Sequence, residues 1–329
     1  MLAFLLKRLV NAAGVMLTVA FLAFMIFRFV GDPVELMLNE QASQAQRDDL
    51  RARLGLNHGF LVQFATFVGN GVRGDFGISY RNQQDVILLI AERLPATLEL
   101  VLVATILSLA IGIPLGVYTA IARESWMAQA LQFVSVLGVS LPSFAVGILM
   151  ILVFSVNLGL LPAFGRGDVV QLGWWSTGLL TRGGRLALIL PAITLSLFQI
   201  TLVMRLVRAE MLETMRTDFI RFARARGLRS QAIYFRHALR NCLMPVITVT
   251  GLQMGNLIAF ALVTETVFQW PGMGMLFVQA VTYVDIPVMA AYLMLISFVF
   301  VLLNTLVDLT YALVDPRLRQ DTVRSAGHG

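Results

Sequence analysis

Apolar residues run through this chain in long blocks broken by short charged stretches. Between charges, the uncharged and mostly apolar runs are Leu9 to Phe27, Leu100 to Ala122, Ser125 to Gly165, Leu186 to Met204, Asn241 to Thr264 and Ile286 to Val307. Roughly 20 such residues carry a helix across a bilayer core about 30 Å thick, so most of these runs have the length of a single span. The run from Ser125 is about twice that length by the same yardstick and contains Pro142 and Pro162.

The positions of the charges decide how often that long run crosses. Lys and Arg beside span ends stay on the cytoplasmic side, because carrying them across costs free energy. With one crossing there are six spans, and Lys7, Arg8, Arg123, residues 205–240, Arg317 and Arg319 all share the cytoplasmic face. Two crossings would place the arginine-rich segment outside. The pattern therefore predicts one tilted or interrupted helix over about Ala128 to Asn157, followed by an external loop, with Arg182 and Arg185 on the outer face against the trend. Thr266 to Val284 is also uncharged, but it holds QWPGMG, in which Pro271 and Gly272 break a helix and Trp270 favours the membrane interface. It is predicted to be an external loop dipping toward the bilayer. Lys7 and Arg8 ahead of an apolar run also suit a signal peptide, but no small-x-small cleavage site follows, which favours a retained anchor.

Composition agrees with a lipid environment. The chain is 58% hydrophobic and 13% charged, with mean hydropathy +0.79, against roughly 25% charged in a soluble domain. One cysteine excludes an internal disulfide and a Cys-pair metal site, and His58, His237 and His328 are too scattered for a ligand cluster. No metal or redox cofactor is indicated.

The charge is concentrated in one place. Residues 205–240 hold nine arginines and three acids, a balance of +6 that equals the formal charge of the whole chain. Topology would need fewer, although some of these arginines suit anionic headgroups. Nucleic acid is a poor fit, since the segment is tied to spans at both ends and lacks a recognition fold. Phe219, Phe222, Ala223 and Arg226 fall at helical spacing, as do Ile220, Ala223 and Gly227, so one flank of a short helix is apolar and small while Arg221 and Arg224 point elsewhere. Gly227 suits a C-terminal cap. Such a helix, closely approachable at Ala223, fits a groove on a partner.

The stretch ARARGLRSQAIYFRHALRNCLMP, Ala223 to Pro245, resembles the cytoplasmic loop of permease subunits of bacterial ABC importers of the dipeptide/oligopeptide class. The resemblance continues through RGDFGISY (Arg73 to Tyr80), ERLPATLEL (Glu92 to Leu100), IGIPLGV (Ile111 to Val117), TETVFQWPGMG (Thr264 to Gly274) and DPRLR (Asp315 to Arg319), an ordered set covering nearly the whole chain. Departures from the wider superfamily, with Phe222 and Ala223 in its first element, Leu239 and Arg240 where Leu-Pro would fall and the proline later at Pro245, look like the peptide-type branch. After the first span the chain reads Val30-Gly31-Asp32-Pro33, where that class usually has Pro-Gly-Asp-Pro.

The resemblance implies an all-α polytopic membrane protein with the type I importer permease fold: six transmembrane helices, both termini cytoplasmic, and an external cap between the first two. It divides the chain into residues 1–30 with the first span, a cap over 31–96, a permease core over 97–315 that includes a coupling loop at 205–242, and a cytoplasmic tail at 316–329. It implies a second homologous permease, two ATPase subunits gripping the coupling loop, an external binding protein, and a place in the bacterial inner membrane. Coupling to the ATPases would fall on Asp218, Phe219, Phe222, Ala223, Arg224 and Gly227. The sequence independently supports one part of this. A P-loop needs a lysine beside Ser or Thr after a glycine-rich turn, and the sole lysine, Lys7, lies between Leu6 and Arg8. ATP must therefore be bound and hydrolysed by another polypeptide.

Polar groups inside spans are costly unless they face a partner or a cavity. Gln253 and Asn256, three residues apart and mid-span, are the preferred pathway pair, and Glu265 near the outer end of the same span is read as a gate, a binding-protein contact or a structural ion pair. The segment from Gly31 to Pro95 carries six basic and eight acidic residues and includes QRDDLRARLGL, which reads as helical; it is expected to cover the outer mouth, face the binding protein, or both. An ion-driven transporter would call for a membrane-buried acid pair, which the first five runs lack, and an intramembrane enzyme would call for a catalytic constellation that no histidine supplies. Cargo is left between peptides and relatives such as glutathione, nickel complexes and opines.

Overall fold

A computed structural model describes residues 2–29, 34, 43–53 and 56–314. The Val30–Pro33 motif, Asp315 to Arg319 and the tail at 316–329 lie outside the described residues. In chain order the helices are α1 (Leu2–Phe29), α2 (Gln44–Arg53), α3 (Phe60–Val72), α4 (Val86–Ile121), α5 (Trp126–Ser140), α6 (Ser143–Met150), α7 (Arg182–Thr214), α8 (Asp218–Ala225), α9 (Leu239–Val267), α10 (Met273–Thr282) and α11 (Ile286–Val314). Seven-residue π-helical stretches extend α6 through Asn157 and precede α9 from Ala232, and a short hairpin pairs β1 (Val170–Leu172) with β2 (Trp175–Thr177).

Among the described residues five helical segments are long and apolar enough to cross a membrane: Arg8–Ile26, Val86–Ile121, Arg182–Thr214, Ala232–Val267 and Ile286–Val307. The pair Trp126–Gly138 and Ser143–Asn157 makes a sixth if it counts as one span, bent by 108°. The break has a local cause. Pro142 has no amide to donate, and proline drives the residue before it out of the helical region; Leu141 is extended, with φ −85° and ψ 131°.

Two compact units are formed. One comprises residues 1–96, 171–176 and 271–329. In it α1 and α11 meet through Ala20 and Ala23 against Ala290 and Met294, where small side chains allow close approach. Val86, Leu89 and Ile90 at the start of α4 pack with α10 and α11, and Phe277 stacks on Tyr292 at 4.4 Å. The other unit comprises residues 97–170 and 177–270. Its core draws on α4, α7, α8 and α9, including Val117, Val207, Met211, Ile220 and Val246. Gly112 and Gly116, one turn apart on α4, lie against Val203 and Val207 of α7. A Cβ at Gly116 would sit 2.6 Å from that of Val207 and 2.8 Å from the carbonyl oxygen of Met204.

Several expectations need correction. Thr266 to Val284 is not a loop: α9 continues to Val267, residues 268–272 form the break, and α10 is helical from Met273. Trp270 is fully buried within the protein. Helix α4 begins at Val86, well before Leu100, and α7 runs ten residues past Met204 to Thr214. In both cases a charge taken as a span boundary lies within a helix.

Candidate functional site

The arginine-rich segment places α8 as a separate short helix. Residues 215–217 turn the chain after α7, and residues 226–229 separate α8 from the helical stretch leading into α9, so α8 is not continuous with either flanking span. Asp218 stands in its first turn and Arg224 in its last, each suited to the helix dipole. The helix ends in a Schellman motif: Gly227 N–H donates to the Arg224 carbonyl at 2.9 Å and Leu228 N–H to that of Ala223 at 3.3 Å. Gly227 has φ +76°, the left-handed conformation that favours a residue without a Cβ.

The flanks of α8 differ from the sequence reading. Ile220 and Ala223 are buried in the chain's own core, beside Val207, Met211 and Cys242. Ala223 is therefore an internal anchor and not a point of close approach for a partner. Phe219 and Phe222 are 45% and 62% exposed, a large apolar surface for so short a helix. The Arg226 guanidinium lies 5.2 Å from the Phe222 ring centre, and Arg221 pairs with Asp218 on the exposed surface. One side of α8 is fastened inward while the other offers two rings framed by arginines.

Gln253 and Asn256 hydrogen-bond to each other, with Asn256 donating. Asn256 is exposed and Gln253 half-buried, so the pair forms a polar spot on α9 that satisfies part of its own bonding. Glu265 is fully buried. Its carboxylate accepts from the Thr97 hydroxyl at 2.5 Å, and its carbonyl accepts the Trp270 amide at 2.8 Å. A side chain with no exposed surface cannot itself touch a binding protein in this conformation, so Glu265 acts on the interior, tying α9 to α4.

Two turns of hydrogen bonding were missed from sequence. Glu99, two residues beyond Thr97 on α4, pairs with Arg166, accepts the Thr177 hydroxyl at 2.8 Å, and accepts the amides of Gly178 and Leu179, each at 3.1 Å. Arg166 also lies over Trp270, 5.8 Å from its ring centre, and Gly165 N–H bonds to the Phe268 carbonyl at 2.9 Å. Together these fasten the loop before α7 to α4 and to the end of α9. In the other unit, buried Asp285 accepts from the Ser79 hydroxyl and from the amides of Tyr80 and Arg81, while Arg81 stacks on Tyr283 at 3.6 Å. Glu99 stands in the quoted ERLPATLEL and Asp285 at the end of the uncharged stretch to Val284, and the only sequence signal was an acid among apolar residues.

Comparisons with known proteins identify the family. Residues 112–320 match the family described as binding-protein-dependent transport system inner membrane component, and residues 1–101 match its N-terminal region. A putative peptide transport system permease protein of Brucella abortus (strain 2308) is 40% identical, covering 98% of this chain and 100% of that protein. The dipeptide transport system permease protein DppB of Alkalihalophilus pseudofirmus is 36% identical, covering 97% and 100%. The oligopeptide transport system permease protein AppB of Bacillus subtilis is 38% identical, covering 97% and 99%. Among solved structures, a chain of the MetNI methionine ABC transporter in inward-facing conformations superposes with a TM-score of 0.55 at 19% identity, over 69% of this chain and 96% of that one.

Proposed function

This chain belongs to the binding-protein-dependent transport system inner membrane component family, and from that premise we propose that it is a permease subunit of an ABC importer for dipeptides or oligopeptides. It would form half of the translocation path beside a second homologous permease, work with two ATPase subunits, and receive cargo from an external binding protein. Peptide cargo is supported by the peptide permeases that resemble it over nearly their full lengths. Six crossings, cytoplasmic termini and an external cap over residues 31–96 are supported by the clustering of basic residues at one set of span ends.

The observation that carries the coupling role is the two-sidedness of α8. Phe219 and Phe222 offer apolar surface beside Arg221 and Arg224, while Ile220 and Ala223 are rooted among side chains of α7 and α9. Force applied to α8 by closing ATPases would reach both spans through that packing, without a continuous helix. Moving a two-state equilibrium from mostly inward-open to mostly outward-open takes about 5.5 kcal/mol, which ATP-driven closure would have to deliver here. Gln253 and Asn256 are proposed to line the path, as polar groups on a span facing away from its own core.

The test is copurification with a functional readout. Tagged wild-type chain should bring down its ATPase subunits, and Phe219→Asp with Phe222→Asp should lose them while still inserting in the membrane. Retention of the ATPases by that double variant would refute the coupling surface. Peptide uptake into proteoliposomes that depends on ATP and on the binding protein would establish the cargo class.

A further inference from the structure

Helix α3 (Phe60–Val72) has its polarity turned the wrong way for a helix bathed in water. Its inner face sets Phe60, Phe64 and Phe67 against Phe21 and Phe24 of α1 in a cluster of tilted and edge-on rings. Its polar positions, Gln63, Thr66 and Asn70, share a second face and line a cleft of about 640 Å³ together with Asp75 and Tyr80. The remaining face carries Leu61, Ala65 and Val72 at helical spacing. All are exposed, Leu61 by 77% and Val72 by 82%. Aqueous helices point polar residues outward; this one turns its polar residues toward a cleft, with Gln63 and Asn70 half-buried there and Thr66 exposed, while its remaining face is apolar.

The depth of α3 follows from what it touches. Phe21 and Phe24 lie inside the candidate span Arg8–Ile26. At its other end α3 approaches Met294, inside the span Ile286–Val307, closely enough that a Cβ on Gly71 would sit 2.8 Å from the Met294 Cε. A helix resting on the apolar stretches of two spans stands at their level. Its 13 residues reach about 20 Å, too short for a core about 30 Å thick. The exposed surface of α1 reaches α3, since Phe21 is half-exposed and touches both Phe60 and Phe64. Arg28 lies over Phe60 at 5.4 Å and donates to Gln63, a placement that lets a cation reach the interface from the end of a span.

We propose that α3 is embedded in one leaflet of the bilayer, with Leu61, Ala65 and Val72 against acyl chains and its Gln63, Thr66 and Asn70 face turned to the cleft. The segment between the first two spans is then not purely an aqueous cap. That the leaflet is the outer one rests on the topology proposed above; contact with lipid does not, and neither depends on the cargo or on the ATPase surface.

The whole transporter, with Cys242→Ser removing this chain's one thiol and this chain alone labelled before assembly, can be reconstituted in phosphatidylcholine–phosphatidylglycerol nanodiscs with single nitroxide labels at Leu61→Cys, Val72→Cys and Thr66→Cys. Dissolved oxygen concentrates in lipid and a neutral nickel chelate in water, so the ratio of their collision rates reports the surroundings. The expected result is a several-fold higher oxygen-to-nickel ratio at positions 61 and 72 than at 66. Nickel access at 61 and 72 equal to that at 66 would make α3 part of an aqueous cap and overturn the proposal. Exclusion of both reagents there would mean that protein covers this face, and would overturn it as well. If a labelled variant fails to assemble with the ATPase subunits, Leu61→Trp supplies the second readout: brominated phosphatidylcholine should quench its added fluorescence, and absence of quenching counts against lipid contact. Peptide uptake measured in the same preparations separates failure of this placement from failure of the transport assignment.

Discussion

Glu99 and Arg166 form an ion pair across 67 residues of chain, with 2% and 7% of their side chains exposed. Charges this deep are tolerated only when paired and hydrogen-bonded, and Glu99 has three further donors in Thr177, Gly178 and Leu179. Removing one partner leaves the other uncompensated, at a cost of about 3–5 kcal/mol. Glu99→Ala is expected to lower the unfolding midpoint of the purified transporter and open the chain between Gly165 and Leu180 to protease. Glu99→Gln, which keeps an acceptor, should lose less. An unchanged digestion pattern in Glu99→Ala would show that the loop is held by something else.

Thr97 and Glu265 share one hydrogen bond within the same unit. Residues in direct contact couple by about 0.5–3 kcal/mol in double-mutant cycles, so Thr97→Val and Glu265→Gln should be clearly less damaging together than the sum of each alone. Because Glu265 is buried, Glu265→Gln should leave the affinity for the external binding protein unchanged while lowering stability. Weakened docking with unaltered stability would restore Glu265 as a surface contact.

The spans were legible because length and apolarity alone define them, and the helices at Arg8–Ile26 and Ile286–Val307 fall close to the runs read from sequence. Their ends were less legible, because a charge was equated with a boundary. Glu99 defeats that rule, since an acid neutralised by Arg166 can sit inside a helix. In α8 the residue pattern put Phe219, Ile220, Phe222 and Ala223 on one apolar flank, and only the packing of Ile220 and Ala223 against α7 and α9 separates the inward residues from the exposed rings. The bond from Ser79 to Asp285 joins residues 206 apart, a separation at which no local pattern gives a signal.

Close packing of α4 on α7 gives a third prediction. At Gly116 an added methyl group meets the Met204 carbonyl oxygen as well as Val207, so backbone would have to move. Overpacking of this kind costs about 1–3 kcal/mol. Gly116→Ala should lower the melting temperature in detergent, and trimming the neighbour in Gly116→Ala/Val207→Ala should recover only part of the loss, since the Cβ of residue 207 and the Met204 carbonyl oxygen both remain. Full recovery in the double variant would assign the whole effect to the valine methyl groups.

Gly227 separates conformation from contact. Nothing lies within 4 Å of a Cβ built there, while its φ of +76° disfavours one. Left-handed backbone costs an L-residue roughly 1–2 kcal/mol, and asparagine tolerates it better than alanine. Gly227→Ala should therefore fray the end of α8 and reduce uptake modestly, and Gly227→Asn should behave more like wild type. Gly227→Trp carries the same backbone cost plus a bulky ring projected into open space beside α8, where the ATPase is proposed to seat. It should insert in the membrane normally yet hydrolyse ATP with little peptide transported per ATP. Measuring that ratio in proteoliposomes decides the matter: a wild-type ratio in the tryptophan variant would mean that the end of α8 is not where the two activities are joined.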